Sequence, residues 1–226
     1  SFYLDIIKDR QYTTQTDGQP RRSAQTAIYH ITHALIRWIT PILSFTAQEA
    51  WEVLQGKNST DAGYVFTEAW YEFPAFELSA ISSDDWQRIM QAKDSVNKHI
   101  ETARGEKIIN ANLSAGVDLY ADGAMYDSLA KLGEELRFVL ITSSATLKPM
   151  SAAPADKANK ANAKADNNEN EDAAGDLVID VSAATGTKCV RCWHIRDDIG
   201  TDAAHPELCA RCVTNVAGDG EVRHYA

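Results

Sequence analysis

Four cysteines constrain this chain more than any other feature. They form two pairs, Cys189-Val-Arg-Cys192 and Cys209-Ala-Arg-Cys212, and sixteen residues separate the pairs. Two residues between cysteines allow both sulfurs of a pair to face one ion, and two such pairs complete a tetrahedral zinc site with four thiolate ligands. Four protein ligands leave no position for water or substrate. The spacing therefore predicts one structural zinc, which stabilises a module too small to fold on its hydrophobic core alone.

Two alternatives to a four-thiolate site stay open at this point. Two disulfides would require an oxidising compartment, and nothing in the sequence suggests export. Cys192 and His205 are separated by twelve residues, which resembles the spacing of a zinc finger, so three cysteines and one histidine would also fit. That set would leave one cysteine of the second pair unused, and we therefore expect the four thiolates as ligands.

The residues beside the cysteines suggest what the zinc module presents to a partner. Trp193 follows Cys192 directly, and Arg191 and Arg211 each precede the second cysteine of a pair. An exposed tryptophan beside arginines is a suitable surface for an unstacked RNA base with its phosphates nearby. The alternative is that Trp193 covers the small core of the module and that both arginines are merely solvated.

The distribution of charge limits what kind of RNA contact is expected. The net charge is −10, so the chain as a whole is not a general nucleic-acid binder. Residues 58–87 carry six acidic and no basic side chains, whereas residues 188–226 carry six acidic and five basic ones. Any RNA contact must therefore be local and specific in shape. The sequence has no long apolar run and no signal peptide, so we expect no membrane association and a cytoplasmic location.

Helical periodicity dominates the first third of the chain. Apolar residues at intervals of three and four predict a long helix with one buried face, which Pro41 kinks or ends. That face comprises Ala24, Ala27, Ile28, Ile31, Leu35, Trp38, Ile39 and Ile42. The segment Thr46-Ala-Gln-Glu49 has the form of a capping box and predicts the start of the next helix, which Gly56 ends.

Arg21 and Arg22 lie at the start of the long helix. The positive end of the helix dipole disfavours cations there, so the pair suggests an external anion such as an RNA phosphate. The alternative is an ordinary solvated helix start.

The rest of the chain predicts a small α+β unit, a linker and the zinc module. We expect a helix from Asp84 to about Arg104, strands at Ala115–Tyr120 and Phe138–Ile141, and a helix over 124–136 between them. Residues 151–175 lack every large apolar residue type and are predicted to be flexible. A strand at Leu177–Val181 leads into the zinc module. The expected fold is mainly α, with domains at 1–72 (helical bundle), 73–148 (α+β), 149–175 (linker) and 176–226 (zinc-ribbon-like module).

Several segments together resemble bacterial class I isoleucyl-tRNA synthetases. Residues 1–10, Arg21-Arg22-Ser23 and Arg37-Trp38-Ile-Thr-Pro41-Ile-Leu-Ser-Phe-Thr46 are similar to the helical anticodon-binding domain of that family. Trp86 through Arg104 and Glu134-Glu-Leu-Arg-Phe-Val-Leu-Ile-Thr-Ser143 resemble the α+β domain that follows it. The two cysteine pairs with their flanking residues resemble the C-terminal zinc module.

The resemblance implies a part of an enzyme that joins isoleucine to its tRNA through isoleucyl-adenylate, with ATP and magnesium. This sequence contains no HIGH-like or KMSKS-like motif, so we expect a C-terminal, N-terminally truncated fragment without catalytic residues. Its expected partners are the anticodon arm of isoleucine tRNA and the remainder of the synthetase chain, and we expect a monomer. The residues expected to contact RNA are Trp193, Arg191, Arg211, Arg21 and Arg22.

Two other functions share parts of the pattern. Formamidopyrimidine-DNA glycosylases carry a finger with the same cysteine pairs, which would make the chain a DNA-repair fragment. The helical region has no counterpart there, and the proline nucleophile of those enzymes is absent. A zinc-stabilised protein-interaction module is the third hypothesis, and it would show no preference for RNA.

Overall fold

The computed structural model describes residues 2–56, 59–75, 80–155 and 177–226. Two units make up the chain: one comprises residues 1–20 and 78–226, and the other comprises residues 21–77. This division differs from the predicted boundaries, because the first helix belongs with the second half of the chain. Most of the predicted linker, residues 156–175, lies outside the described residues, so its flexibility stays a prediction.

The smaller unit contains the helical part of the chain after residue 20. Helix α2 spans Gln19–Ile39, α3 spans Ser44–Gln55, and a short α4 covers Ser59–Ala62. The predicted end of α2 at Pro41 is confirmed, and Gly56 ends α3 in the left-handed conformation, with φ at 62°. The predicted capping box at Thr46 is wrong. The backbone N–H of Leu43 bonds to Ile39 and that of Ala47 to Leu43, so the turn passes directly into α3 without a side-chain cap.

The core of this unit uses only part of the predicted face of α2. Ile36 packs with Ala47, Trp51 and Val65. The predicted face is exposed at Ile31, Leu35, Trp38 and Ile42, which corrects that part of the prediction, whereas Ala24 is buried and Ile39 packs against the core. Helix α2 is apolar on more than one side, and periodicity alone cannot tell which side its neighbours cover.

The larger unit is an α+β arrangement built around a three-stranded sheet. Its helices are α1 (Phe2–Thr13), α5 (Ser83–Gly105), α6 (Gly123–Ala130) and α7 (Leu136–Leu140). Its strands are β1 (Ala115–Ala121), β2 (Ser144–Pro149) and β3 (Leu177–Ala183), in the order β2-β1-β3. Strand β1 pairs parallel with β2 and antiparallel with β3. The buried side chains that join these layers include Ile89, Val96, Ile100, Leu119, Leu129, Leu136 and Leu140.

The predicted strand at Phe138–Ile141 is wrong, because these residues belong to α7 and its end. Ile141 stops the helix with φ at 60°, and β2 begins only at Ser144. A short apolar run is ambiguous between a buried strand and a buried helical turn. The predicted strands at Ala115–Tyr120 and Leu177–Val181 are confirmed, and β3 joins β1 in the sheet.

The cysteine-containing segment is also part of the larger unit. It consists of a hairpin of β4 (Thr187–Lys188) and β5 (Ile195–Arg196), followed by helix α8 (Ala210–Ala217). The protein is thus mainly helical, with a small sheet and a four-cysteine cluster. Within the described ranges, no helix combines the length and hydropathy that a membrane span requires.

Candidate metal centre and nucleic-acid interface

The first cysteine pair occupies the turn of the β4–β5 hairpin. The backbone N–H of Cys189 donates to His194 at 2.9 Å, and that of Trp193 donates back to Cys189 at 3.0 Å. Gly186 precedes the hairpin with φ at 106°, and a Cβ there would collide with the carbonyl of Arg196. The close approach of the two strands therefore requires glycine at this position.

The second cysteine pair lies at the start of α8. Cys209 is the residue before the helix, and Cys212 lies in its first turn. The N–H of Cys209 donates to the Cys189 sulfur at 3.4 Å, which links the two pairs directly.

The four sulfurs converge on one point. All lie within 4.8 Å of one another, and the four cysteines are buried. The Sγ atoms of Cys192 and Cys209 are 3.7 Å apart. Four sulfurs at about 2.3 Å from a tetrahedral ion would be separated by about 3.8 Å, so the spacing fits a zinc ion. It is far longer than the bond of about 2.0 Å in a disulfide.

The two alternative uses of the cysteines are not supported by this geometry. All four cysteines are free, so neither pair forms a disulfide. Among the described residues, the converging group consists of the four cysteines without His205. The backbone N–H of His205 bonds to Asp202 in the loop between the pairs.

The protonation of three of the thiols, those of Cys192, Cys209 and Cys212, is linked. Hydrogen bonding with Cys192 lowers the pKa of Cys209 to about 3. Hydrogen bonding with Cys192 and Cys209 raises the pKa of Cys212 above its ordinary value. These three sulfurs therefore titrate as one coupled group, as expected for thiols that converge on a single site.

Trp193 projects from the first cysteine pair toward solvent. It is 60% exposed, which does not fit a residue that covers the small core of the module. Its φ of 65° lies in the left-handed region, where a bulky side chain is rare and strained. The ammonium of Lys188 lies 5.4 Å from the centre of the ring. An exposed aromatic ring is thus presented beside a positive charge that the sequence analysis did not single out.

The two arginines of the cysteine pairs turn inward. Arg211 donates to both carboxylate oxygens of Asp9, at 2.6 and 2.8 Å, and its side chain is only 11% exposed. Carboxylates of the protein already occupy its guanidinium, so this geometry does not favour the prediction that Arg211 neutralises a phosphate. Arg191 is half-buried, and its Nη2 donates to the carbonyl of Thr13 at 2.9 Å.

Arg21 and Arg22 lie in the first turn of α2, which contains no acidic residue. Arg22 is exposed and Arg21 is half-buried. Both belong to the smaller unit, whereas Trp193 belongs to the larger one.

Helix α1 holds the cysteine-containing segment in place, and no signal in the sequence predicted this. Asp9 also accepts a hydrogen bond from Arg223 at 2.9 Å. Burial alone would raise the pKa of Asp9, but the charges of Arg211 and Arg223 outweigh it and hold the pKa well below its usual range. The hairpin is further tied to the sheet, since the N–H of Ile195 donates to Ser143 Oγ at 2.7 Å.

The last residues of the chain are bound by the same unit. Glu135 accepts the backbone N–H groups of His224, Tyr225 and Ala226 at 2.6 to 2.7 Å. Arg10 donates to the carbonyl oxygen of Ala226 at 2.9 Å. The cysteine segment and the tail after it are therefore packed against α1 and α7.

The sequence is similar to two protein families. It matches the family described as "Anticodon-binding domain of tRNA ligase" over residues 1–119. It also matches the family described as "Zinc finger found in FPG and IleRS" over residues 186–215, which contain the four cysteines.

Whole-chain relatives are isoleucine–tRNA ligases. The chain is 79% identical over 226 residues to the one from Psychrobacter arcticus. It is 50% identical over 228 residues to the one from Pseudomonas aeruginosa strain UCBPP-PA14, and 49% identical over 226 residues to the one from Acinetobacter baylyi. Each similarity covers 100% of this chain but only 22–23% of the relative, so the chain spans less than a quarter of their length.

These similarities do not favour the DNA-repair hypothesis, since the relatives over the full chain are tRNA ligases and the first family covers the helical region. That family matches residues 1–119 of 226, which is more than half of the sequence. The chain belongs to the family of anticodon-binding domains of tRNA ligases.

Proposed function

We propose that this chain is the part of an isoleucine–tRNA ligase that binds the anticodon arm of isoleucine tRNA. The observation that carries the proposal is Trp193, an exposed ring held in a strained backbone conformation on a rigid cysteine cluster. The similarity of the whole chain to isoleucine–tRNA ligases supports the choice of amino acid.

The metal belongs to the same proposal. Cys189, Cys192, Cys209 and Cys212 hold one zinc ion with a structural role. The convergence of their sulfurs and the zinc-finger family over residues 186–215 support this assignment. Zinc would fix the hairpin and the start of α8 relative to each other, and so fix the direction in which Trp193 points.

The recognition mechanism follows from the residues around the ring. Trp193 stacks on an unpaired base of the anticodon loop, and Lys188 beside it attracts the neighbouring phosphate. Arg191, half-buried against Thr13, stiffens the turn and supplies further positive charge. Arg21 and Arg22 provide a separate phosphate contact at the first turn of α2.

The ligase as a whole would form isoleucyl-adenylate from ATP and isoleucine, with magnesium, and then transfer isoleucine to the tRNA. In this proposal that chemistry takes place outside these 226 residues, and this chain contributes no catalytic residue. We further propose that the ligase acts as a cytoplasmic monomer.

The test is the Trp193→Ala variant of the full-length ligase that carries this sequence. We expect a loss of about 1–3 kcal/mol in tRNA binding, the usual contribution of one base stacked on an aromatic ring. Isoleucyl-adenylate formation should be unchanged, because it does not involve the anticodon arm. Both activities are measured on the same preparation, together with its zinc content.

Trp70→Ala is the matched control. Trp70 is 66% exposed, but it lies in a stretch without basic residues and stacks on Trp38. Its replacement should leave tRNA affinity unchanged. If the Trp193 variant keeps zinc and charges tRNA normally, Trp193 does not recognise RNA and the proposal fails.

A further inference from the structure

Phe138 of α7 is surrounded by arginines. The ring is buried, and the guanidinium carbons of Arg223, Arg137 and Arg211 lie 3.4, 4.3 and 5.0 Å from its centre. Cation–π contacts of this kind are favourable. Three positive charges around one ring nevertheless repel one another unless anions balance them.

Two of these arginines are balanced by carboxylates of the protein. Asp9 accepts from Arg211 and from Arg223, as described above. Glu221 lies 3.3 Å from Arg211 and 3.5 Å from Arg223. Two carboxylates therefore face two guanidinium groups, and this part of the cluster is neutral.

The third arginine, Arg137, differs from the other two. Among the residues that the structure describes, no hydrogen bond or ion pair holds the Arg137 guanidinium, and its Nε is enclosed without an acceptor. The side chain is half-buried, so water solvates it only in part. Arg223 Nη2 and Arg104 Nε are also enclosed without an acceptor, but the guanidinium groups of Arg223 and Arg104 pair with carboxylates through their other nitrogens.

The surroundings of Arg137 are positive. Burial lowers its pKa, and the charges of Arg211 and Arg196 lower it further, each by more than the charge of Asp9 raises it. A guanidinium nevertheless stays protonated in proteins. Arg196, in β5, is itself paired only weakly, since its Nη2 is 3.7 Å from Asp198. The cluster thus holds an uncompensated positive charge that an external anion would neutralise.

The position of this charge relates it to the cysteine cluster. His194 packs edge-on against Phe138, with ring centres 5.8 Å apart, and it follows Trp193 directly in the chain. Arg137 is the chain neighbour of Phe138 and lies against the same ring. The guanidinium fork of arginine matches the oxygens of a phosphate, which it binds through two parallel hydrogen bonds.

We propose that Arg137, supported by Arg196, binds a backbone phosphate of the RNA whose base meets Trp193. The proposal rests on the proposed function. It assigns the phosphate contact to Arg137 of α7, in place of Arg211, whose guanidinium is already neutralised within the protein.

The experiment measures the affinity of the full-length ligase for isoleucine tRNA over a range of salt concentrations. Arg137→Gln should weaken binding at low salt and reduce the log–log salt slope by about 0.7–0.9, the contribution of one phosphate contact. Arg137→Lys keeps the charge and should keep most of the slope. The control is Arg104→Gln in α5, whose guanidinium pairs with Glu101 at 2.8 Å, and it should not change the slope.

The Trp193→Ala variant separates this inference from the proposed function. If Trp193→Ala weakens binding while Arg137→Gln leaves the salt slope unchanged, the Arg137 contact is refuted and the proposed function stands. If Trp193→Ala has no effect on binding, the proposed function fails whatever Arg137 does. Zinc content verifies that the cysteine cluster of each variant is folded, and isoleucyl-adenylate formation verifies that the rest of the ligase is intact.

A measurement on the unchanged protein covers the case in which Arg137→Gln does not fold. Phenylglyoxal modifies accessible arginines, and mass spectrometry gives the rate at Arg137. We expect isoleucine tRNA to protect Arg137 and an equal concentration of inorganic phosphate to protect it far less. An unchanged rate in the presence of saturating tRNA would overturn the inference.

Discussion

Replacing Asp9 tests whether α1 holds the cysteine-containing segment in place. The Asp9 carboxylate accepts two hydrogen bonds from Arg211, at 2.6 and 2.8 Å, and one from Arg223 at 2.9 Å. Asp9→Asn preserves the shape of the side chain but removes its charge and one acceptor oxygen. Both arginines, which are 11% and 1% exposed, would then lose their main counter-charge.

The size of the effect follows from this burial. Removing one partner of a buried ion pair typically costs about 3–5 kcal/mol, because the remaining charge is left without compensation. Glu221 stays within 3.5 Å of both arginines and offsets part of the loss. We therefore expect Asp9→Asn to reduce the free energy of unfolding by about 3 kcal/mol, the lower end of that range.

The assay is urea unfolding of the zinc-loaded protein, combined with amide hydrogen exchange in α1 and α8. Asp5→Asn is the matched control, since Asp5 lies one turn earlier on α1 and forms an exposed ion pair with Lys8. Asp5→Asn should change neither the free energy of unfolding nor the exchange protection by much. Asp9→Asn should lower exchange protection in both helices together.

The pH dependence of the free energy of unfolding provides an independent check that the Asp9 carboxylate stabilises the fold. The pKa of Asp9 in the folded protein is held below its unfolded value of about 3.9. Its contribution is therefore complete above about pH 4 and is lost as the pH falls further. The difference in the free energy of unfolding between wild type and Asp9→Asn should therefore shrink as the pH falls below about 4. Equal stabilities of the Asp9 and Asp5 variants, or a difference that persists unchanged at low pH, would show that Asp9 does not hold the cysteine-containing segment on α1.

Three further predictions concern the same unit. Glu135→Gln replaces an acceptor of three backbone N–H groups and should destabilise the tail by about 1–3 kcal/mol, measured as faster tryptic cleavage after Arg223. Gly186→Ala should weaken zinc binding in a competition titration, because its Cβ meets the Arg196 carbonyl. A chelator should remove exchange protection from α8 while β1 keeps its protection, since the cysteines lie outside the hydrophobic core that surrounds the three-stranded sheet.

The parts of the fold that depend on local pattern could be predicted from the sequence. The cysteine spacing indicated one converging cluster, since two residues between cysteines fix the geometry of each pair. Gly56 was expected to end α3 because a left-handed residue is needed there. The alternation of residue types in Ala115–Tyr120 predicted the central strand β1.

The parts that depend on distant contacts could not be predicted. Asp9 and Arg211 are 202 residues apart, and nothing near either residue indicates the pair. Arg211 was therefore interpreted as a surface cation. The predicted burial of Ile31, Leu35, Trp38 and Ile42 on α2 was wrong for the same reason, because neighbouring elements and not periodicity decide which side of a helix is buried. The polar segment at 151–175 suggested an independent module, whereas the contacts of Arg211 and Ile195 dock the cysteine segment onto α1 and the sheet.

The proposed recognition of isoleucine tRNA is tested by the affinity of the proposed full-length ligase for isoleucine tRNA compared with a tRNA for another amino acid, at one stated salt concentration. Affinities for nucleic acids are comparable only at equal salt. We expect tighter binding of isoleucine tRNA, and a smaller preference in the Trp193→Ala variant. Equal affinities for the two tRNAs, or a preference that the Trp193 variant retains in full, would contradict the proposed recognition.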